Sequence, residues 1–283
     1  MKRFAQVTLI TSGVCGILGA LFLLSGVLLG AGKGDFFRLF RNGFFSTEWN
    51  REEAVQDADF ASNETTYQAS EIEKLDFELS VGKLYIKENT ENPDEIHVMT
   101  EGNLADITVK QTGNCLEITE KTQDILHKNK SKTKITVYLP KDKVYQEIDA
   151  ELAVGSIVSE LENLSADEVS LSNDTGKIEM EGICVTGDLD VDCSVGSVQV
   201  RRAEVAGDIE VDCGVGEVEL SINGQKEDFN YTLNCGVGEI RVGESTYSGL
   251  SNSTKLDYHS SRSATVECGV GSVKLYFSDV ENF

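Results

Sequence analysis

Proline, which interrupts helices and strands, and histidine, which is common in catalytic sites, are both scarce in this sequence. Its 283 residues include only two prolines and three histidines. His97, His127 and His259 lie far apart and lack metal-ligand spacing, and no nucleophile-elbow, zinc-protease or phosphate-loop motif occurs. The sequence therefore predicts a protein that is not an enzyme and that needs no cofactor.

Basic residues are also in the minority. Lysine and arginine together number 25 against 48 acidic residues, which gives a formal charge of −23 and a pI near 4.4. Phosphates would repel such a chain at long range, so nucleic acid is excluded as a partner. The seven cysteines include no CxxC pair, which argues against a zinc ribbon or a thiol-exchange motif.

The only long apolar run lies at the N-terminus. Val7–Leu29 contains 23 uncharged residues, and a helix needs about 20 to cross a bilayer. We predict one transmembrane anchor over residues 1–34. Lys2 and Arg3 precede the run as in a signal peptide, but the run exceeds the roughly 7–15 apolar residues of such a peptide. Cleavage remains an alternative.

Residues 35–71 are predicted to join the anchor to the rest of the chain. An aromatic and basic collar over 35–45 is followed by a polar linker over 46–71. Basic residues flank the span on both sides and nearly balance. We expect the N-terminus inside and the large domain outside the cell membrane.

From residue 72 onward, apolar and polar residues alternate with the period of a β-strand. Within this alternation a unit recurs that has the form seen in VDCSVGSVQV and VDCGVGEVEL. Its glycines are separated by 21, 20, 20, 22 and 33 residues: Gly155, Gly176, Gly196, Gly216, Gly238 and Gly271.

Repeats of this length predict an all-β fold, a single-stranded parallel β-helix or β-roll with coils of about 20 residues. Stacked coils would place equivalent side chains in interior columns about 4.8 Å apart. Glycine would occupy a corner that needs positive φ or leaves no room for Cβ. The predicted interior columns are Cys193, Cys213, Cys235 and Cys268, and Val195, Val215, Val237 and Val270.

This β-solenoid domain is expected to span 72–283. Residues 72–145 are less regular and would form a cap, and 146–277 would form the regular coils. The 33-residue interval predicts a loop inserted within Gly243–Ser263, after which the C-terminal segment would finish the stack. Asn173 stands where other copies have Cys or Leu, so the third coil is expected to be looser.

The segments ITVYLPKD at 135–142 and ELAVGSI at 151–157, with the CGVGEV-type units after them, resemble the DUF4097 family of bacterial adhesin-like β-strand-repeat proteins. The resemblance covers roughly 72–277. It implies a surface β-solenoid, and related domains occur in envelope-stress regulators. It supplies no catalytic residues.

Two sets of side chains are candidate sites. The cysteine column fits core packing, with a disulfide between coils or a metal site as alternatives. The second set consists of acidic side chains that alternate with apolar ones and would point outward, where calcium could bind them. A solvated acidic face is the alternative for this set, whose members are Asp188, Asp190, Asp192, Asp208, Glu210 and Asp212.

A lysine-rich run over 127–143 could contact an acidic partner or an anionic wall polymer, or it could simply be a solvated hairpin. The expected function is a non-enzymatic, membrane-anchored cell-envelope protein whose acidic solenoid acts as a scaffold or binding surface. Its partner would be an envelope protein or a wall polymer. The alternatives are a membrane-stress regulator that acts through its anchor, and a calcium-binding surface module.

Overall fold

The computed structural model describes residues 61–102, 107–120 and 133–278, all of which belong to one compact unit. The predicted anchor at 1–34 and the collar lie outside the described residues. Within the described part of the chain, no helix is long and apolar enough to cross a membrane.

The described residues form one sheet of 14 strands with two single-turn 3-10 helices at Ala69–Glu71 and Lys226–Asp228. The strands are β1 (Ala61–Gln68), β2 (Lys74–Glu88), β3 (Glu95–Gly102), β4 (Ile107–Thr112), β5 (Cys115–Glu120), β6 (Thr133–Leu139), β7 (Val144–Ser159), β8 (Leu164–Met180), β9 (Ile183–Val185), β10 (Leu189–Val205), β11 (Ile209–Asn223), β12 (Asn230–Val242), β13 (Ser245–Leu256) and β14 (Ser263–Ser278).

Seven of these strands form a parallel stack in the order β2-β7-β8-β10-β11-β14-β12, and β9 bridges β8 and β10. The repeats are in register, so each glycine lies opposite the next: Gly82, Gly155, Gly176, Gly196, Gly216, Gly271 and Gly238. The all-β, solenoid-like architecture predicted from the repeats is therefore present.

Each long strand bends at its glycine. In β10, Cys193 points inward before the bend and Val198 points inward after it, although the two positions differ in parity. Gly216 has a φ of 154°, and a Cβ there would lie 1.9 Å from the carbonyl oxygen of Gly196. The corner therefore requires glycine both for its backbone conformation and for the close approach of the next coil.

The prediction that the valines beside these glycines form an interior column is wrong. Of its four members, Val237 is 43% exposed and Val195, Val215 and Val270 are only partly buried. Val81 and Val154, at the equivalent positions, are 39% and 41% exposed. Because the bend begins between the inward cysteine position and the valine, the valine side chains lie outside the corner. They form an outer row that we call the valine ridge: Val81, Val154, Thr175, Val195, Val215, Val270 and Val237.

The prediction that the C-terminal segment finishes the stack is wrong. Instead β14 inserts between β11 and β12, and the predicted loop within Gly243–Ser263 contains β13, which pairs antiparallel with β12. The 20-residue connection, which contains β13, allows β14 to return to the side of β12 that faces β11. The Asn230 side chain ties this connection down, because its oxygen accepts hydrogen bonds from the backbone of Tyr258 at 2.9 Å and Ser260 at 3.2 Å.

The N-terminal boundaries also differ from the prediction. The last part of the predicted linker 35–71 is β1, which pairs antiparallel with β3. Within the predicted cap 72–145, β2 is a full member of the parallel stack and pairs with β7 along its length. The cap lies on the other side of β2, where β5 and β6 pair with its two halves and β4 and β3 add antiparallel strands.

Candidate functional site

Two outer faces meet at the valine ridge, and the first is strongly acidic. Before the bend, two outward rows run across the stack from β2 to β12, with neither lysine nor arginine at any position. β8 and β12 carry uncharged polar residues in these rows, and Glu117 of β5, at the N-terminal end, pairs with Lys110 at 2.6 Å. We call the carboxyl side chains, with Glu117, the acidic face: Asp76, Glu78, Glu117, Asp149, Glu151, Asp190, Asp192, Glu210, Asp212 and Glu267.

Register places carboxyls directly against carboxyls on this face. Asp192 lies opposite Asp212, and Asp190 lies opposite Glu210. Partial burial, and then the neighbouring charge of Asp212, raise the pKa of Asp192 to about 6. Partial burial, and then the charge of Glu210, also raise the pKa of Asp190. Like charges held at the spacing of adjacent strands repel each other, so this face strongly favours positive charge near it.

Partial burial also raises pKa values at the N-terminal end of the acidic face. It is the main cause for Asp76, Asp149 and Glu151. The charge of Asp149 adds to the shift at both Asp76 and Glu151. The perturbed carboxyls therefore extend along the stack, beyond the two coils in which acidic residues were singled out from the sequence.

Two of the calcium candidates have a structural role. The Asp188 carboxylate accepts a hydrogen bond from the backbone N–H of Asp208 at 2.8 Å, and the Asp208 carboxylate accepts one from Ser263 at 2.6 Å. Each carboxylate thus fastens the start of one coil to the next. The other four candidates, Asp190, Asp192, Glu210 and Asp212, lie on the acidic face. In the described ranges, no three His, Cys, Asp or Glu side chains are grouped closely enough to hold a metal ion.

The second face, beyond the bend, mixes both signs of charge with polar groups. Its two rows carry lysine or arginine on five strands and glutamate on three. The mixed face consists of Lys83, Tyr85, Lys134, Ser156, Val158, Lys177, Glu179, Ser197, Gln199, Glu217, Glu219, Ser272, Lys274, Glu239 and Arg241.

Charges on the mixed face neutralise one another. Lys177 pairs with Glu179 at 2.5 Å along one strand, and Lys274 pairs with Glu217 across two strands. Arg241 lies 5.5 Å from the ring centroid of Tyr276. The bend therefore separates a surface of one sign from a surface that is close to neutral.

The cysteine column lies inside the corner, behind the acidic face. Cys193, Cys213, Cys268 and Cys235 follow one another in that order because β14 is inserted, and all four are buried and free. Thiol hydrogen bonds with its two neighbours, and then burial, raise the pKa of Cys213. Burial raises the pKa of Cys235 to about 11. These two thiols therefore stay protonated and unreactive at neutral pH, as expected of core residues.

Asn173 continues this column beyond Cys193 and departs from its chemistry. Its side chain is 1% exposed, and neither its amide nitrogen nor its amide oxygen has a hydrogen-bond partner. An unsatisfied buried amide costs about 1–3 kcal/mol. Asn173 is thus a polar defect in an otherwise apolar column, and the looser third coil stays a prediction.

Comparison with protein families agrees with this architecture. The model of the Toastrack DUF4097 family matches residues 72–186 and 161–273. The chain belongs to the DUF4097 family. No curated protein sequence matches this DUF4097 chain.

Several solved structures resemble this DUF4097 chain at low sequence identity. A candidate cell adhesion protein from Clostridium sporogenes is 17% identical, with 77% of this chain and 100% of that chain covered and a TM-score of 0.45. A candidate adhesin from Bacteroides fragilis is 19% identical, covering 76% and 97%, with a TM-score of 0.39. A candidate lipid-binding protein from Parabacteroides distasonis is 12% identical, covering 75% and 96%, with a TM-score of 0.28. None of them is similar enough to transfer a function.

Six of the ten carboxyls of the acidic face were not predicted from the DUF4097 sequence. Glu78 and Glu151 occupy the same register position as Asp192 but lie in the less conspicuous first two copies. Aligning all copies on their glycines would have revealed both residues. The mixed face was also missed, because its charges alternate in sign from coil to coil and leave no run in the sequence.

Proposed function

We propose that this DUF4097 chain is a non-enzymatic, membrane-anchored cell-envelope protein that presents its acidic face as an adhesin-like binding surface. The apolar run Val7–Leu29 supports an anchor, because its length suits a membrane-spanning helix. The solenoid then projects from the outer side of the membrane. Its partner is an envelope protein or a wall polymer.

The observation that carries this proposal is the regular acidic face. Stacked parallel strands repeat their outward positions at a spacing of about 4.8 Å. Carboxyls in two adjacent rows therefore form an extended array rather than a closed pocket. Such an array suits an extended partner with repeated positive groups, for which electrostatic attraction accelerates association.

Co-sedimentation of the full chain in detergent with membrane and wall fractions tests the binding surface. The acidic-face variant would carry Asp76→Asn, Asp149→Asn, Asp190→Asn, Asp192→Asn and Asp212→Asn. We expect it to lose saturable binding by at least about tenfold, and we expect added salt to weaken the binding of the parent chain. The matched control replaces Lys83, Lys134, Lys177, Lys274 and Arg241 of the mixed face with glutamine and should bind normally.

Equal binding by both variants, or no saturable binding by the parent chain, would contradict the proposal. The side of the membrane needs a separate test. Lys255 is exposed, and a Lys255→Cys variant should react with an impermeant maleimide in intact cells. Reaction only after lysis would place the solenoid in the cytoplasm and favour a regulatory role through the anchor.

A further inference from the structure

Three chain connections enclose a groove at the N-terminal end of the stack, away from both outer faces. They are the 3-10 turn after β1, the loop between β2 and β3, and the turn between β6 and β7. Residues 68–70, 93–94 and 140–143 line the groove, whose volume is about 510 Å³. This volume falls within the range of small-molecule sites, about 300–1,000 Å³.

The walls of this groove are held in place before any ligand binds. The only two prolines of the chain, Pro93 and Pro140, both line it, and their rings fix φ. Behind Pro93, the buried Asn89 side chain donates to the Glu95 carbonyl at 2.8 Å and accepts from the Asn92 backbone at 3.1 Å. The Ala69 backbone N–H donates to the Asp94 carbonyl at 2.8 Å. Rigid walls reduce the ordering cost of binding.

Two cations of the groove form no ion pair with any carboxylate that the structure describes. Lys143 is half-buried, and its ammonium lies 5.2 Å from the ring centroid of Tyr145. Burial lowers the pKa of Lys143, with the charge of Glu73 opposing that shift. Among the described residues, no carboxylate forms an ion pair with Lys143 or with the exposed Lys141. An unpaired, half-buried ammonium such as that of Lys143 favours an anionic ligand.

The groove also carries acceptors beside these cations. Asp94 and Asp142 line the same cavity, and both are exposed. A bare anion would meet these carboxylates as well as the lysines. A ligand whose anionic group is joined to hydroxyl groups avoids that conflict, because hydroxyls donate hydrogen bonds to carboxylates.

We propose that this groove binds a phosphorylated polyol, with Lys141 and Lys143 holding the phosphate and Asp94 and Asp142 accepting hydrogen bonds from its hydroxyls. The site goes beyond the proposed function, since it does not use the acidic face. The ligand can be a free phosphorylated polyol or the headgroup of a lipid, and both present the same chemistry to the groove.

Isothermal titration calorimetry on the full chain in a neutral detergent tests this site. We expect saturable binding of glycerol 3-phosphate, of a short-chain monomeric phosphatidylglycerol, or of both, and none of glycerol. Binding of glycerol 3-phosphate identifies a free ligand as sufficient, whereas binding of the lipid alone identifies the headgroup as the source. The double variant Lys141→Gln, Lys143→Gln should bind at least about tenfold more weakly.

The matched control is Lys83→Gln, Lys255→Gln, which removes the same charge outside the groove and should stay within twofold of the parent. Thermal melts establish that the variants are folded. Absence of saturable binding by both phosphate probes, or equal binding by the groove variant and the parent, would overturn the proposal. The acidic-face variant should keep this site, so failure here and failure of the proposed function can be told apart.

Discussion

Apart from Glu117 of β5 and Lys134 of β6, the acidic face and the mixed face are built from the same strands, on opposite sides of the glycine bend. Before the bend, Asp192 faces Asp212 across the stack, whereas after it Lys274 pairs with Glu217. The acidic face tolerates repulsion that charge pairing removes from the mixed face. Repulsion between carboxyls is costly to a fold, so the acidic face contributes less to stability than the mixed face does.

The largest expected effect comes from removing the bend that separates the two faces. A Cβ at position 216 would lie 1.9 Å from the carbonyl oxygen of Gly196, and φ there is 154°. Gly216→Ala should therefore lower the free energy of unfolding by about 4 kcal/mol or more, or prevent folding. Urea denaturation followed by circular dichroism measures this loss.

The control for that variant is Gly113→Ala. Gly113 also has positive φ, at 63°, but a Cβ there would meet nothing within 4 Å. Gly113→Ala should lower the free energy of unfolding by only about 1–2 kcal/mol. Similar losses for the two variants would show that backbone conformation matters and that the close stacking of coils does not.

A smaller effect, of opposite sign, is expected from the core behind the acidic face. Asn173→Leu removes a buried amide whose two polar atoms lack partners, and it restores the residue found at the equivalent Leu152 of β7. The free energy of unfolding should rise by about 2 kcal/mol. Ser172→Ala, on the adjacent outward position, should change it by less than about 0.5 kcal/mol. A destabilised Asn173→Leu protein would show that the amide is satisfied in solution.

A third variant relieves repulsion on the acidic face. The pKa of Asp192 is about 6 in the folded protein, above its ordinary value near 4, so the folded state binds the proton more tightly. Its stabilising contribution is complete below pH 4 and is lost as pH rises through 6. At pH 7, Asp192→Asn should raise stability by about 1 kcal/mol after allowance for solvent screening, or about 2–4 °C in Tm.

The same variant should have little effect at pH 4, because Asp192 is protonated there in the folded state and about half protonated in the unfolded state. Melting curves at the two pH values measure the difference. If Asp192→Asn raises stability at pH 4 as much as at pH 7, the charge of Asp192 is not the cause of the gain.

The smallest effect is expected on the mixed face. Lys274→Gln breaks the ion pair with Glu217, whose side chain is 50% exposed. Pairs of this kind contribute about 0–1 kcal/mol, so we expect a loss below about 0.5 kcal/mol. A loss above 2 kcal/mol would show that the mixed face depends on its ion pairs and would weaken the contrast between the two faces.

The repeat made much of this fold predictable. The spacing of Gly196 and Gly216, with apolar residues in alternation, indicated stacked coils and the corner at which they bend. The order of the coils was not predictable. A 33-residue interval allows the last strand to pair with either side of β12, and contacts such as that of Asn230 with Ser260 decide which side it takes.

Strict alternation of inward and outward residues also predicted the wrong position for the valines. Val215 shares the parity of Cys213, and strict alternation would bury both residues. The strand turns immediately after the cysteine, and local sequence does not reveal at which residue a bend begins. The groove was beyond sequence reasoning for a different reason: Pro93 and Lys143 are 50 residues apart, and only the pairing of β2, β3 and β6 brings their connections together.

The most direct test of the acidic face is a pH titration of its carboxyl carbons by NMR in the full chain. In-register stacking places Asp192 against Asp212 in a partly buried row, so the signal of Asp192 should titrate near pH 6. Asp76, Asp149, Glu151, Asp190 and Asp212 should also titrate above their ordinary values. If all of these carboxyls titrate near pH 4, as in unstructured peptides, the stacked, partly buried carboxyls of the acidic face do not exist.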